Sequence, residues 1–183
     1  MIWYLNNRCS ENNKTLCGRA VSLEWVKVPS IIMTTFNTSR MIEASVEVVF
    51  GAFADGERLA RWWGPNGFTN TFGTFEFEPG GRWSNTMHSP NGGSPQNESI
   101  FEAIETPSAS GGKFGKIVIR HISQPLYRLT VELSPTPSGT HVSWSQKFDD
   151  PEVARRIEKI VVAANEQNLD RLTAEILSVS NVV

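Results

Sequence analysis

The sequence predicts an α+β domain: a curved antiparallel sheet wrapped around one long C-terminal helix, with two short helices after the first strand. Three observations carry this. Between residues 71 and 148 most segments alternate apolar and polar side chains with period two, and clusters of Gly, Pro and Asn separate them. Residues 45–63 break that alternation with two brief helical patterns. After Asp150-Pro151-Glu152 an apolar stripe at helical spacing runs to about Leu177.

Composition fits one domain. At 183 residues and a formal charge of −2, the chain is long enough for a core of its own, and its scattered Lys and Arg give no electrostatic footprint for nucleic acid or an anionic membrane. No apolar run approaches the length of a membrane span, and Met1–Leu5 is too short for a signal-peptide core before Asn6, Asn7 and Arg8 interrupt it. The expected location is therefore the cytoplasm. Both cysteines, Cys9 and Cys17, precede the patterned region, so the domain needs no disulfide. With no histidine beside them they lack zinc-ligand spacing, and neither a metal site nor a cofactor is expected.

Residues 1–36 are rich in Asn and Ser and hold no periodicity, so they are expected to be an N-terminal extension. Two readings of it stand side by side: a genuine, poorly ordered arm, or sequence upstream of a natural start at Met33. The domain is expected to span residues 37–178, with 179–183 as a tail. Residues 38–43 read as its first strand. Ser45 is an N-cap for a helix that places Val46, Val49, Phe50 and Phe53 on one face and turns Glu47 to solvent. Asp55-Gly56 ends that helix, and residues 57–63 form a second one, stopped by Gly64-Pro65.

The strands follow in turn. Residues 71–78 place Phe75 and Phe77 opposite Thr74 and Glu76, and residues 82–88 place Trp83, Asn85 and Met87 opposite Arg82, Ser84 and Thr86. Glu78-Pro79-Gly80-Gly81 is the turn between them. Near residues 98–105 the phase is ambiguous, because Ile100, Phe101 and Ile104 are apolar on both faces. Residues 106–116 form a Pro-Ser-Gly-rich loop, expected to be an exposed insertion that tolerates shortening. Residues 117–122 follow, and then residues 126–133, with Tyr127, Leu129, Val131 and Leu133 on one face. In the last strand Val142, Trp144, Gln146 and Phe148 share a face. One apolar face is the usual pattern of an antiparallel sheet. Asp150 then caps a helix with proline at its first position, and Val153, Ile157, Ile160, Val161, Ala164, Leu169, Leu172 and Ile176 form its stripe. A strand, two short helices, antiparallel strands and a long closing helix are the order of a helix-grip fold.

The densest aromatic stretch is Arg61-Trp62-Trp63-Gly64-Pro65-Asn66-Gly67-Phe68. Adjacent residues on a helix point about 100° apart, so two neighbouring indoles must meet two different surfaces. Arg61-Trp62-Trp63-Gly64-Pro65, Gly67-Phe68-Thr69, Pro79-Gly80-Gly81-Arg82-Trp83, Met87 and Pro90-Asn91-Gly92 resemble, in order, the signature blocks of one family. That family is the bacterial relatives of the activator of the ninety-kilodalton heat-shock chaperone ATPase, within the START-like helix-grip superfamily. The resemblance runs from about Ser39 to about Leu177 and implies a ligand-sized space between sheet and helix.

No nucleophile elbow, phosphate-cradling loop or metal-ligand spacing is present, so no catalytic residue is assigned. The expected partner is a small hydrophobic ligand. Its walls are expected from Trp62, Trp63, Phe68, Phe75, Phe77 and Trp83, with Met87, Leu129, Val131 and Trp144. Strand phase adds polarity from Asn85, His121, Tyr127 and Gln146. The plain alternative is that the aromatics fill the core and the polar groups satisfy one another. Three functions follow: binding of an apolar or aromatic small molecule, a cyclase- or hydrolase-like enzyme relying on His121, and a co-chaperone. The chain has no room for the extra chaperone-binding domain of the family's eukaryotic namesake, which ranks the co-chaperone last. A homodimer is left open.

Overall fold

A computed structural model describes residues 34–180, with side chains for 34–178. The extension up to residue 33, with Cys9 and Cys17, and residues 181–183 lie outside the described residues.

Strand β1 (Thr35–Ile42) leads into helix α1 (Val46–Ala54) and helix α2 (Gly56–Trp62). Six strands follow: β2 (Thr69–Phe75), β3 (Arg82–His88), β4 (Gln96–Glu105), β5 (Gly115–His121), β6 (Tyr127–Thr136) and β7 (Gly139–Phe148). Helix α3 (Pro151–Ser180) closes the chain. The sheet order is β1-β7-β6-β5-β4-β3-β2, antiparallel at every pairing.

Local chemistry accounts for the helix ends. Ser45 Oγ accepts from Val48 N–H, Asp55 Oδ1 accepts from Glu57 and Arg58 N–H at 2.9 and 3.1 Å, and Asp150 Oδ1 accepts from Glu152 and Val153 N–H. Asp55 thus ends α1 and starts α2 at once, which makes the elbow compact. Between β2 and β3, Gly80 donates to the Phe101 carbonyl and Phe101 to that of Gly81, and a Cβ on Gly81 would run into the Glu76 carbonyl.

The core lies between α1, α2 and the concave sheet face. Val49, Phe53, Leu59, Trp62, Ile117, Val131, Leu133 and Val142 are all essentially inaccessible. The C-terminal half of α3 joins them through Leu169, Leu172 and Ile176. A smaller cluster of Phe36, Phe148 and Ala154 sits under the start of α3.

Five expectations are corrected or settled. The first strand starts at Thr35, three residues ahead of the expected 38, and Phe36 is core, its ring tilted against Phe148 at 5.8 Å. The ambiguous phase of β4 is resolved by a bulge at Glu102, which puts Ser99, Phe101 and Ile104 opposite His121, Ile119 and Ile117 on the inner face. A second bulge, at Gly73, likewise puts Phe72 and Phe75 on one face, and Phe77 lies beyond the strand yet packs on the core. The loop at 106–116 is no loose insertion. Pro107 is buried beside α1 in a 3-10 turn (Pro107–Ser110), where Ser110 Oγ accepts from Lys113 and Phe114 N–H. In α3 the expected stripe fails at Ile160, which is 70% exposed, because the first half of the helix overhangs the sheet with only Ala154 and Asn165 fully covered before Asn168.

Candidate ligand-binding site

The described surface of α3 that faces β6 and β7 does not close on the sheet completely. A half-open cavity of about 140 Å³ remains there. Trp63, Gly64 and Pro65 bound it at the bend after α2, Met87 comes from β3, Tyr127 and Leu129 from β6, and Trp144 and Gln146 from β7. Val161, Ala164, Asn165 and Asn168 bound it on α3.

The bend is built to hold a fixed wall. Trp63 N–H closes the helix on the Leu59 carbonyl, and Gly64 takes φ +94°, where a Cβ would press on Met87 Cε at 2.8 Å. Its polar backbone is then satisfied from α3. Asn168 Oδ1 accepts from Gly64 N–H at 2.6 Å, and Gln167 Oε1 accepts from Asn66 N–H at 2.8 Å. Arg171 donates to the carbonyls of Arg61, Gly64 and Pro65 at 2.7, 2.9 and 2.7 Å. One turn on, the buried Glu175 carboxylate receives Arg61 and Arg58, at 2.7 and 3.2 Å for its Oε1. The Arg61 hydrogen bond holds this carboxyl below the usual range, against the opposing cost of burial. Trp63 therefore presents its indole from a clamped backbone, 5.5 Å from the Trp144 ring and 4.7 Å from Trp83.

The polar atoms in this space are unevenly served. Five buried side-chain polar atoms have no protein partner among the described residues, and three of them, Trp144 Nε1, Gln146 Oε1 and Asn165 Nδ2, belong to residues lining the cavity. All three residues are more than nine-tenths buried. Leaving such a group unpaired costs about 1–3 kcal/mol, so three of them on residues that line one space set it apart from ordinary core.

Of the residues expected to bind ligand, Trp63, Met87, Tyr127, Leu129, Trp144 and Gln146 line this cavity, and the others do not. Trp62 is solid core, its Nε1 donating to the Ala52 carbonyl at 3.0 Å. Trp83 packs against Phe72, Phe75 and Phe101, and its Nε1 donates to Asn85, which in turn donates to Asn70. Phe77 stacks with Phe75 and meets Phe101 edge to face, Val131 is fully buried opposite its sheet partner Trp144, and Phe68 follows the bend outside the lining. His121 stacks on Tyr127 at 4.4 Å, with Nδ1 3.0 Å from the Pro125 carbonyl and Nε2 3.2 Å from Ser123 Oγ. Nε2 also lies 3.3 Å from Asn97 Oδ1 on β4, so both ring nitrogens are engaged by the protein, and burial holds the pKa below the ordinary value.

Sequence reasoning passed over Asn165 and Asn168. Their signal was present: Val161, Ala164, Asn165, Asn168, Leu169 and Leu172 follow one helical face, so two amides interrupt an apolar stripe. Among the described residues no group of His, Cys, Asp and Glu could hold a metal ion, and no helix is long and apolar enough to cross a membrane.

A long helix laid across the concave face of a seven-stranded antiparallel sheet, with two short helices after the first strand, defines a START-like helix-grip domain. The profile of the Activator of Hsp90 ATPase homolog 1-like proteins matches residues 43–176, and the chain belongs to that family. Its fold is similar to that of a protein from Arthrobacter aurescens, at 21% identity and TM-score 0.69 over 79% of this chain and 87% of that one. A protein from Nitrosomonas europaea is similar at 18% identity and TM-score 0.66, over 79% and 95%. An AHSA1-like protein from Aeromonas hydrophila is similar at 19% identity and TM-score 0.60, over 80% and 94%. No curated protein matches the chain in sequence.

Proposed function

We propose that this protein binds an apolar or aromatic small molecule between α3 and the inner face of β6 and β7. The supporting observation is the cavity itself, about 140 Å³ left between α3, β6 and β7 and walled at one end by the bend after α2, beside a core of fully buried apolar side chains. Its wall is held rigid by the clamp on the bend, so little ordering is required when a ligand enters. The enzymatic alternative relied on His121, which faces its own loop and does not line this space.

Two indoles line the cavity, so tryptophan fluorescence reports on occupancy. Titrated toluene is expected to change the emission saturably. Ala164→Phe, which fills the space from the helix side, is expected to abolish the change while the melting temperature holds. An emission change that survives Ala164→Phe, or none in the unmodified protein with toluene or any other single-ring probe, would sink the reading.

A further inference from the structure

We infer that the ligand is a neutral, single-ring molecule bearing an amide-like edge, with a hydrogen-bond acceptor and a donor side by side; this rests on the binding function proposed above. Size sets the first limit. A cavity of about 150 Å³ lined by apolar side chains accommodates benzene, whereas drug-sized ligands occupy roughly 300–1,000 Å³. At about 140 Å³ the enclosed space takes one ring, and most of a sterol or an acyl chain would lie outside it.

Charge sets the second limit. None of the lining residues carries a formal charge near neutral pH, and burial raises the Tyr127 phenol further from ionisation. Arg171, which touches the lining residues Gly64 and Pro65, is committed to backbone carbonyls of the bend. A carboxylate or ammonium in this space would be desolvated with no counter-charge.

Hydrogen bonding sets the third. The Trp144 indole can only donate, so the ligand must present an acceptor to it. Gln146 and Asn165 each carry a donor and an acceptor and can turn their amides, so between them they meet an acceptor and a donor on the same edge. A hydrocarbon would leave all three unpaired. A carboxylate could be served by all three once Gln146 turns its amide, so it is excluded by its uncompensated charge and not by hydrogen bonding. A carboxamide or lactam serves all three.

The test compares three probes of one size: benzamide, benzoate and toluene, titrated by tryptophan fluorescence and by the indole N–H resonance of Trp144. Benzamide is expected to bind at least tenfold tighter than either of the others and to move the Trp144 resonance downfield. Asn165→Leu and Gln146→Leu are each expected to cut the preference for benzamide over toluene at least tenfold, with toluene still bound. Toluene binding as tightly as benzamide would overturn the inference and leave the binding function standing. Tightest binding by benzoate would overturn it through the charge. If none of the three bound, the proposed function would fall with it.

Discussion

At the scale of single residues, two asparagines three positions apart on α3 have opposite expected effects. Asn168 Oδ1 is the acceptor for Gly64 N–H at the bend, so Asn168→Ala strands a buried donor and is expected to cost about 1–3 kcal/mol in a denaturant melt. Asn165 Nδ2 has no protein partner, so Asn165→Leu is expected to leave stability equal or higher. An equal loss from both would mean that packing, and not hydrogen bonding, governs the site. His121 gives a pH dependence of definite sign. Its folded pKa is depressed, chiefly by burial and against its backbone hydrogen bonds, so the unfolded chain takes the proton first as pH falls. The stability it contributes is complete above an unfolded value of about 6.5 and is lost progressively below that. The melting temperature is expected to fall between pH 7.5 and 5.5, and to fall less in His121→Gln. Glu175, with its depressed carboxyl, contributes above its unfolded value and loses that contribution only at more acid pH, so the two windows separate.

At the scale of elements, the joint between α2 and α3 is the strongest specific contact outside the core. Arg171 serves the carbonyls at the end of α2 that no helical N–H can reach. Arg171→Met keeps much of the packing and removes those bonds, and is expected to cost about 2 kcal/mol and to broaden the Trp63 resonances. A stable variant with unchanged Trp63 signals would show that the bend holds its own shape. The first strand makes a second case. Phe36 anchors the cluster under the start of α3, so a chain beginning at Asn37 is expected to be about 2 kcal/mol less stable than one beginning at Met33. Matching denaturant midpoints would place Phe36 outside the cooperative core.

At the scale of the whole molecule, the cavity ties ligand affinity to stability. A ligand that binds only the folded state at about 100 times its Kd adds about 2.7 kcal/mol. Saturating benzamide is therefore expected to raise the melting temperature of the unmodified protein and leave that of Ala164→Phe unchanged. A rise of the same size in both would assign the effect to another site.

The elements, their order and most of their faces were legible in the sequence, because period two, period 3.6 and cap chemistry are local properties. Ser45 and Asp150 marked helix starts, Asp55 marked the end of α1, and residues 82–88 were read at their true bounds with Trp83 and Asn85 inward. The bulge at Glu102 was not legible, since one extra residue leaves no composition signal and only pairing with β5 reveals the changed phase. Nor was the division of the inner face into core and cavity. Strand phase treats Trp83, Trp144, Asn85 and Gln146 alike, but the elbow of α1 and α2 helps seal the aromatic cluster around Trp83, while α3 leaves space over Trp144 and Gln146. Which inward side chain is packed and which is left facing a gap depends on surfaces that meet across more than a hundred residues of chain. Only the tertiary structure decided that.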